Sequence, residues 1–453
     1  MLAASGLAAP VRAQAPFDSV LDRPALADSS ARDSIDRDST TVDSTALAIP
    51  SPPRFDPIAQ LRAQFVGDTR AYANLRVLMW LIGPLWALAV PLLLLFSGAA
   101  TAMRDVAHAL GTSRWVRVLV MLTLYVVVAG ALTLPVTWYV DHALERQFGL
   151  TDQSTLEWFV EQLKSTGFQL ALFGVVPLLW LLYRTIERSP RRWWLWLGVA
   201  TAPLMVAGAL LEPLVFDPMF NRFEPLGNHG LERRIVRLAE RAEIPARRVF
   251  VVDKSEQTRK YNAYVNGFGA SQRIVLWDTL LRGMSEDEIA FVMAHEIGHY
   301  ALGHIWKGMA ITFAMALLAC ALLAALCGLA LRRWGERWGI RELSDVASLP
   351  LLVFAISLCA WVAQPLANVL SRRVEREADA FALELTRDPD AGARTFLALA
   401  AQNRSNPEPA PIVRFLLYTH PTAIERVRLT LEYRPWEQGR ANLYFHGPDE
   451  PSR

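Results

Sequence analysis

Two histidines four residues apart, with a glutamate directly after the first, are the side chains of this sequence best suited to catalysis. They lie in the stretch His295-Glu296-Ile297-Gly298-His299. On an α-helix this spacing brings both imidazoles to one face, where they can bind a single metal ion, and Glu296 can reach a water molecule beside it. Such a pattern rarely arises by chance among 8 histidines in 453 residues. It predicts hydrolysis of a peptide bond assisted by one zinc ion (Zn2+).

A catalytic zinc ion usually has three protein ligands, so a third must come from another part of the chain. Glu375 and Asp379 lie one helical turn apart in an alanine-rich, helix-forming segment. We therefore expect Glu375 to bind the metal and Asp379 to accept a hydrogen bond from a ligand histidine. Glu377 is expected to point into solvent. His304, five residues after His299, is expected to lie off the ligand face of the helix.

The elements that must position these residues can be predicted from the surrounding sequence. Ser285-Glu286-Asp287-Glu288 is a capping box, which starts a helix and places the two histidines in its third and fourth turns. An amphipathic helix and three strands are predicted upstream, at 230–242, 248–253, 261–268 and 273–277. If the middle strand lies at a sheet edge, Asn262, Ala263 and Tyr264 could pair with an extended peptide substrate. An ordinary strand within the sheet is an equal alternative.

The rest of the chain is typical of an integral membrane protein. It is 53% hydrophobic, and its apolar residues form blocks close to the ~20 residues that span a bilayer. The predicted spans are 77–97, 118–139, 168–183, 193–216, 305–331 and 349–369. Prolines within several of them indicate kinked helices. We predict a mainly α-helical polytopic fold of six helices, or seven with one further span, around a cavity, and a small α+β zinc metallopeptidase domain with a short β-sheet.

The domain organisation follows from these blocks. Residues 1–15 end in a small-x-small pattern that could be the remnant of a signal peptide, and 16–72 are Ser/Asp/Pro-rich, which predicts a disordered tether. The remaining segments are the N-terminal membrane helices (73–216), the metallopeptidase segment (217–304), two membrane helices (305–369) and a C-terminal catalytic segment (370–453). The net charge of +2 and the absence of a basic stripe with aromatics give nucleic-acid binding no support. The expected partners are the lipid bilayer and a peptide or protein substrate.

Arginines are concentrated in alternate loops between the predicted spans. The three groups are Arg104, Arg114 and Arg117; Arg184, Arg188, Arg191 and Arg192; and Arg332, Arg333, Arg337 and Arg341. Basic loops are retained in the cytoplasm, so this bias places the metal motif on the outer side of the membrane. Three cysteines, Cys320, Cys327 and Cys359, fall within spans without metal-site spacing, and we expect them to pack as apolar residues.

The pattern His295-Glu296-x-x-His299, followed by Ser371-Arg372-x-x-Glu375-x-x-Ala378-Asp379, resembles the integral-membrane CAAX prenyl endopeptidases of type I. These are zinc metalloproteases with a large intramembrane chamber. Further matches are Phe148-Gly149-Leu150, 220–226, Asn262-Ala263-Tyr264, Gly267-Phe268, 273–280, His420-Pro421 and Arg426. The resemblance covers roughly residues 73–431.

The resemblance implies that Glu375 is the third zinc ligand, that Asp379 supports a ligand histidine, and that His420 and Arg426 are a pair near the substrate or transition state. We expect Glu296 to take a proton from water and pass it to the leaving amine. His420 could then donate to the developing oxyanion, while Arg426 adds positive charge or braces the wall of the site.

Two features depart from the family. Its members commonly have seven spans and a cytosolic catalytic side, whereas this chain has six predicted spans and an arginine bias that places the site outside. The catalytic side therefore stays open at this point, and so does the lipid modification of its substrates. The alternative function is a quality-control protease or a chaperone-like cavity protein that acts on non-prenylated clients.

Overall fold

The computed structural model describes residues 56–172, 175–216, 218, 221–244, 248–266 and 273–447. The suggested signal remnant and most of the predicted tether lie outside the described residues. The helices before the sheet are α1 (Pro57–Gln64), α2 (Gly67–Phe96), α3 (Ala99–Leu110), α4 (Arg114–Trp138), α5 (Leu144–Gln147), α6 (Thr155–Leu172), α7 (Val175–Arg188) and α8 (Trp193–Leu211). Short π-helical segments, Tyr139–Ala143 and Glu212–Phe216, follow α4 and α8.

The second half of the chain contains the sheet and the remaining helices. Its elements are β1 (Phe223–Pro225), α9 (His229–Arg241), β2 (Val249–Val252), β3 (Ala263–Asn266), β4 (Arg273–Trp277), α10 (Asp278–Gly283), α11 (Glu286–Ala301), α12 (His304–Trp338), α13 (Leu349–Thr386), α14 (Pro389–Gln402), α15 (Pro411–Leu417) and α16 (Ala423–Glu432). Two 3₁₀ turns, Val346–Ser348 and Pro435–Gln438, precede α13 and follow α16.

Five of these helices are long and apolar enough to cross a membrane. They are α2, α4 with its continuation to Gln147, α8 with its continuation to Val215, α12, and α13 with the turn before it. Five of the six predicted spans coincide with them, to within one residue at the ends of 77–97 and 193–216. The sixth predicted span, 168–183, is not among the five helices. It begins in α6 and ends in α7, and residues 173 and 174 between them lie outside the described part. The predicted fold class, a mainly α-helical polytopic membrane protein, is thus confirmed, with five membrane-capable helices in the described part of the chain.

The predicted tether extends too far along the chain. Its last residues form α1 and the start of α2. Leu61 of α1 is buried against α14 and α16, and Arg62 forms an ion pair with Glu408. This short helix has only a weak apolar face of its own. The contacts that stabilise it come from segments more than 300 residues away in the sequence, so local sequence pattern does not predict it.

The sheet has four strands in the order β1-β2-β4-β3. β2 and β4 are parallel, while β1 and β3 pair antiparallel with β2 and β4 respectively. The three predicted strands and the amphipathic helix are present at the predicted places. β1 was not predicted, since three residues are too few to show an alternating pattern. β3 lies at the edge of the described sheet, and its pairing with a substrate stays a prediction.

Two large hydrophobic cores, and a small cluster around Leu144 and Phe148, hold the described chain together. One lies between the sheet, α9, α11 and the C-terminal helices, with Ile274, Phe291 and Phe381 fully buried. The other joins one end of the long helices around Met121 and Tyr183. Between the two, none of the described residues 74–89 of α2 or 356–367 of α13 is buried. The long helices thus do not close on a core at mid-length, and the cavity between them stays a prediction.

The three arginine-rich loops meet at one end of the long helices. Arg104 forms an ion pair with Asp345 at 2.9 Å, and Arg114 donates to the carbonyl of Ser344 at 2.7 Å and pairs with Glu187. Cys327 is buried in the core at this end, Cys320 is buried along α12, and Cys359 is partly buried. The histidine motif lies beyond the opposite end of α12. The basic loops and the motif are therefore on opposite ends of the helical bundle, as the sequence predicts.

Candidate metal centre

The helix that carries both histidines is fixed at its start and along one face. The side chain of Ser285 accepts from the amide of Glu288, whose carboxylate accepts from the amide of Ser285, so the predicted capping box begins α11. Further along, α11 packs closely on α13: a β-carbon on Gly298 would lie 2.9 Å from Cδ1 of Phe381. This close approach brings the histidine face of α11 next to Glu375.

Two imidazole nitrogens and the two carboxylate oxygens of the predicted ligands lie close together. The Nε2 atoms of His295 and His299 are 3.2 Å apart. Nε2 of His295 is 3.2 Å from Oε2 of Glu375, and Nε2 of His299 is 3.7 Å from Oε1 of the same carboxylate. Tetrahedral zinc with bonds of about 2.0 to 2.1 Å holds its ligand atoms roughly 3.3 Å apart. The three side chains therefore have the spacing that a zinc ion requires, with the fourth position left for water or substrate.

The hydrogen bonds around these atoms also require a cation. Nδ1 of His295 lies 2.8 Å from Oδ1 of Asp379, so it is the nitrogen that carries the proton, and Nε2 offers a lone pair. Oε2 of Glu375 is buried beside Nε2 of His295 and Nε2 of His420, which lie 3.2 and 3.3 Å away. Lone pairs of two imidazoles and a carboxylate thus face one another, an arrangement that only a shared cation stabilises.

Without a metal, a proton on His295 takes that role. Burial opposes its charge, but hydrogen bonds to Asp379 and Glu375 outweigh burial and raise the pKa of His295 to about 10. Burial and the adjacent charge of His295 lower the pKa of His299 to about 3, so this imidazole is neutral. One ligand is therefore ready to bind a metal at neutral pH, and the other must first lose a proton.

Glu296 lies half-buried beside these ligands, and the described residues offer its carboxylate no hydrogen bond. Burial raises the pKa of Glu296 to about 7, the positive charge of His295 opposes this shift, and the negative charge of Glu375 adds to it. A carboxylate with a pKa near neutrality can accept a proton and later donate it.

Asp379 links the centre to Arg426. The guanidinium of Arg426 donates to both carboxylate oxygens of Asp379, Nε at 2.8 Å, and its carbon lies 4.1 Å from the centre of the Phe396 ring. Its side chain is only 13% exposed. Of the two expected roles, bracing the wall of the site fits this position, and a role beside the substrate stays a prediction. Arg426 braces Asp379, because a buried carboxylate needs a paired cation.

His420 lies on the open side of the centre. It is in the loop between α15 and α16, with Nε2 at 3.3 Å from Oε2 of Glu375 and Nδ1 at 2.9 Å from Oγ1 of Thr419. Its side chain is 51% exposed, in contrast to the buried ligands. It can therefore donate a hydrogen bond to a group bound at the centre.

Two residues play a part that the sequence did not predict. His304 is buried, with Nδ1 at 3.1 Å from Nδ1 of His299 and Nε2 at 3.2 Å from Oε2 of Glu377. His304 is not among the three ligands, as expected, but it contacts the opposite side of the His299 ring because α11 ends at Ala301 and Gly303, at φ 65°, redirects the chain before α12. Glu377, expected in solvent, is half-buried and lies against His304.

The predicted substrate strand is at the sheet edge. Asn262 directly precedes β3 and is exposed, Ala263 is buried in the core, and Tyr264 is half-buried. β3 packs against α11, and its far edge pairs with no strand among the residues that the structure describes. Gly267 and Phe268, part of the same resemblance, lie outside the described residues.

Comparison with known proteins agrees with this geometry. Residues 225–434 match the model of peptidase family M48, and residues 52–222 match that of the CAAX prenyl protease N-terminal region with five membrane helices. An uncharacterized metalloprotease of Bacillus subtilis, YhfN, is 31% identical over 375 residues, 82% of this chain and 87% of that protein. The chain belongs to peptidase family M48, of the CAAX prenyl protease type. As an M48 peptidase, it is a metalloendopeptidase that acts on peptide or protein substrates.

Other relatives of this M48 peptidase include CAAX prenyl protease 1 of Saccharomyces cerevisiae. That protein is 28% identical over 308 residues, which cover 65% of this chain and 67% of the yeast protein. The crystal structure of S. mikatae Ste24p has the same fold, with a TM-score of 0.72, 24% identity, and coverage of 84% of this chain and 91% of that one. The M48 peptidase described here is accordingly a multi-pass integral membrane protein that uses a metal ion.

Proposed function

We propose that this M48 peptidase is a zinc endopeptidase in which His295, His299 and Glu375 hold the metal and Glu296 is the general base. The observation that carries this proposal is the convergence of two imidazole nitrogens and a carboxylate at zinc spacing, with the Glu296 carboxylate beside them. A bound zinc ion would supply a Lewis acid that polarises the scissile carbonyl and makes water more acidic.

The remaining chemistry belongs to the side chains. Glu296, which lies beside the ligands and is not one of them, takes a proton from the attacking water and returns it to the leaving amine. His420, half-exposed on the open side, donates a hydrogen bond to the oxygen that becomes negative during attack. Asp379 and Arg426 touch no reacting atom, and they hold the ring of His295 in place.

The substrate is proposed to bind as an extended peptide beside β3, the edge strand of the described sheet. Strand addition uses the backbone of Asn262, Ala263 and Tyr264 and therefore makes few demands on side chains. Lipid-modified proteins are the substrate class suggested by the CAAX prenyl protease relatives and by a metal centre at one end of membrane helices. The arginine-rich end is proposed to face the cytoplasm, which places the metal centre on the opposite side.

Metal removal and reconstitution test the proposed function. Purified full-length protein should contain about one zinc per chain, cleave a reporter peptide, lose this activity with a chelator and regain it with zinc. Cleavage by protein shown to be metal-free would contradict the proposal. A pair of peptides of the same sequence, with and without an S-prenyl group on one cysteine, tests the substrate class: equal kcat/KM for both would reject a preference for lipid-modified substrates.

The binding mode has its own test. Single N-methylation along the reporter peptide removes one backbone donor at a time. Because alternate residues of a strand hydrogen-bond to the same neighbour, we expect KM to rise at every second position. A uniform response at successive positions would contradict binding along β3.

A further inference from the structure

His304 reaches the metal centre because the chain bends between two helices. α11 ends at Ala301, Gly303 adopts a left-handed conformation, and His304 starts α12, the next long membrane helix. Its ring then lies back over the last turn of α11, 5.2 Å from the ring of His299 and nearly perpendicular to it, at 70°. The side chain of His304 is only 3% exposed, so solvent does not supply its hydrogen bonds.

Only one placement of protons satisfies this group of side chains when a metal is bound. His299 faces the other ligands with Nε2, so Nδ1 carries its proton and donates to Nδ1 of His304, 3.1 Å away. A neutral imidazole that accepts at Nδ1 carries its own proton at Nε2. That proton points to Oε2 of Glu377, 3.2 Å away. Each donor in the chain therefore meets an acceptor.

The far end of this chain is anionic and paired. Glu377 accepts from Nε of Arg373, one turn earlier on α13, at 3.2 Å. The other ligand histidine has a similar arrangement, in which His295 donates to Asp379 and Asp379 is held by Arg426. Both ligand histidines thus end at an arginine-paired carboxylate. His295 reaches its carboxylate directly, and His299 reaches its own through a second imidazole.

We propose that His304 and Glu377 are positioning residues that fix the tautomer and ring orientation of His299. The inference rests on the proposed metal centre, and it adds a structural consequence. His304 is the first residue of membrane helix α12, while Glu377 is on α13. The orientation of a metal ligand is therefore set by the way two membrane helices meet at the catalytic end, and separation of these helices would weaken metal binding.

The test is the zinc affinity of the full-length protein in competition with a chelator. In His304→Leu the proton on Nδ1 of His299 has no acceptor, and we expect the Kd for zinc to rise about 10- to 100-fold. His304→Gln should restore most of this loss, because a carboxamide can accept with its oxygen and donate with its nitrogen. Glu377→Gln should raise the Kd about tenfold, since the anionic end of the chain is lost. His229→Leu and Glu432→Gln, at exposed side chains, should leave the Kd unchanged.

The outcomes separate this inference from the proposed function. If the wild-type protein binds no zinc, the proposed function fails before any variant is compared. If it binds zinc, and His304→Leu has the wild-type Kd or the same Kd as His304→Gln, the positioning role is refuted. Should His304→Leu fail to fold, Glu377→Gln and His304→Gln decide: a wild-type Kd for Glu377→Gln overturns the proposal, and a raised Kd for it with a near-wild-type Kd for His304→Gln supports it.

Discussion

The Nδ1 atom of His295 lies 2.8 Å from the Oδ1 atom of Asp379, although the two residues are on different helices, α11 and α13. This contact fixes which nitrogen of His295 faces the metal position. It also joins the C-terminal helices to the centre, because the same carboxylate is held by Arg426 of α16. The geometry of one ligand therefore depends on three helices.

Removal of Arg426 should destabilise the protein. Arg426→Ala leaves the buried carboxylate of Asp379 without its cation, so we expect the free energy of unfolding to fall by about 3 to 5 kcal/mol. Arg426→Lys keeps the charge but loses the two-pronged contact, and it should cost less. Arg428→Ala, on the same helix with its side chain 53% exposed, is the control and should stay within about 0.5 kcal/mol. Denaturant unfolding of the metal-free protein measures all three, and equal effects at Arg426 and Arg428 would contradict a buried ion pair.

Zinc binding should release a proton. The raised pKa of His295, about 10, means that the metal-free protein holds this proton at neutral pH and loses it only as the pH rises through 10. His299, with its pKa of about 3, is a neutral imidazole at this pH and has no second proton to lose. Zinc must therefore displace about one proton, and its affinity should fall about tenfold for each pH unit of acidification. Calorimetry at pH 6 in buffers of different ionisation enthalpy counts the proton, and a count of zero would be incompatible with this electrostatic environment.

The close contact between α11 and α13 should tolerate no added methyl group. In Gly298→Ala the new β-carbon would lie 2.9 Å from the Phe381 ring, so the helices must separate. We expect a loss of about 1 to 3 kcal/mol in stability together with weaker zinc binding, because Glu375 moves away from the histidines. Phe381→Leu combined with Gly298→Ala should recover part of the zinc affinity. If the single variant binds zinc as the wild type does, the contact does not set the ligand spacing.

Surface labelling should reveal the side of the metal centre. Glu432→Cys lies at the catalytic end, and Arg341→Cys lies at the arginine-rich end, both exposed. In a protein whose native cysteines are replaced by alanine, a membrane-impermeant maleimide should label Glu432→Cys in intact cells and Arg341→Cys only after lysis. The reverse pattern would place the metal centre in the cytoplasm.

The sequence predicts those parts of the molecule that depend on local pattern. The histidine pair follows from the spacing of a single helix, its start from the capping box, and the long helices from runs of apolar residues. Glu375 and Asp379 could be placed on one helix face for the same reason. In the structure α13 is continuous from Leu349 to Thr386, so the predicted boundary at 369/370 falls within one helix.

The features that could not be predicted depend on tertiary contacts or on a break in a helix. The partnership of His304 with His299 arises because Gly303 redirects the chain, and a helical projection cannot follow such a turn. The glycine itself was the available signal, since glycine commonly ends helices. α1 was assigned to the tether because its stability comes from α14 and α16. The contact of Arg426 with Asp379 likewise joins two residues that are 47 positions apart in the sequence.

Peptide cleavage by the Glu296→Gln variant tests the central claim most directly. The substitution keeps the size of the side chain but removes its ability to accept a proton, and Glu296 is not one of the three metal ligands. We predict that the purified variant retains its zinc and loses about 10²- to 10⁴-fold in kcat. Wild-type kcat in a zinc-loaded Glu296→Gln variant would contradict the assignment of Glu296 as the general base and, with it, this account of the site.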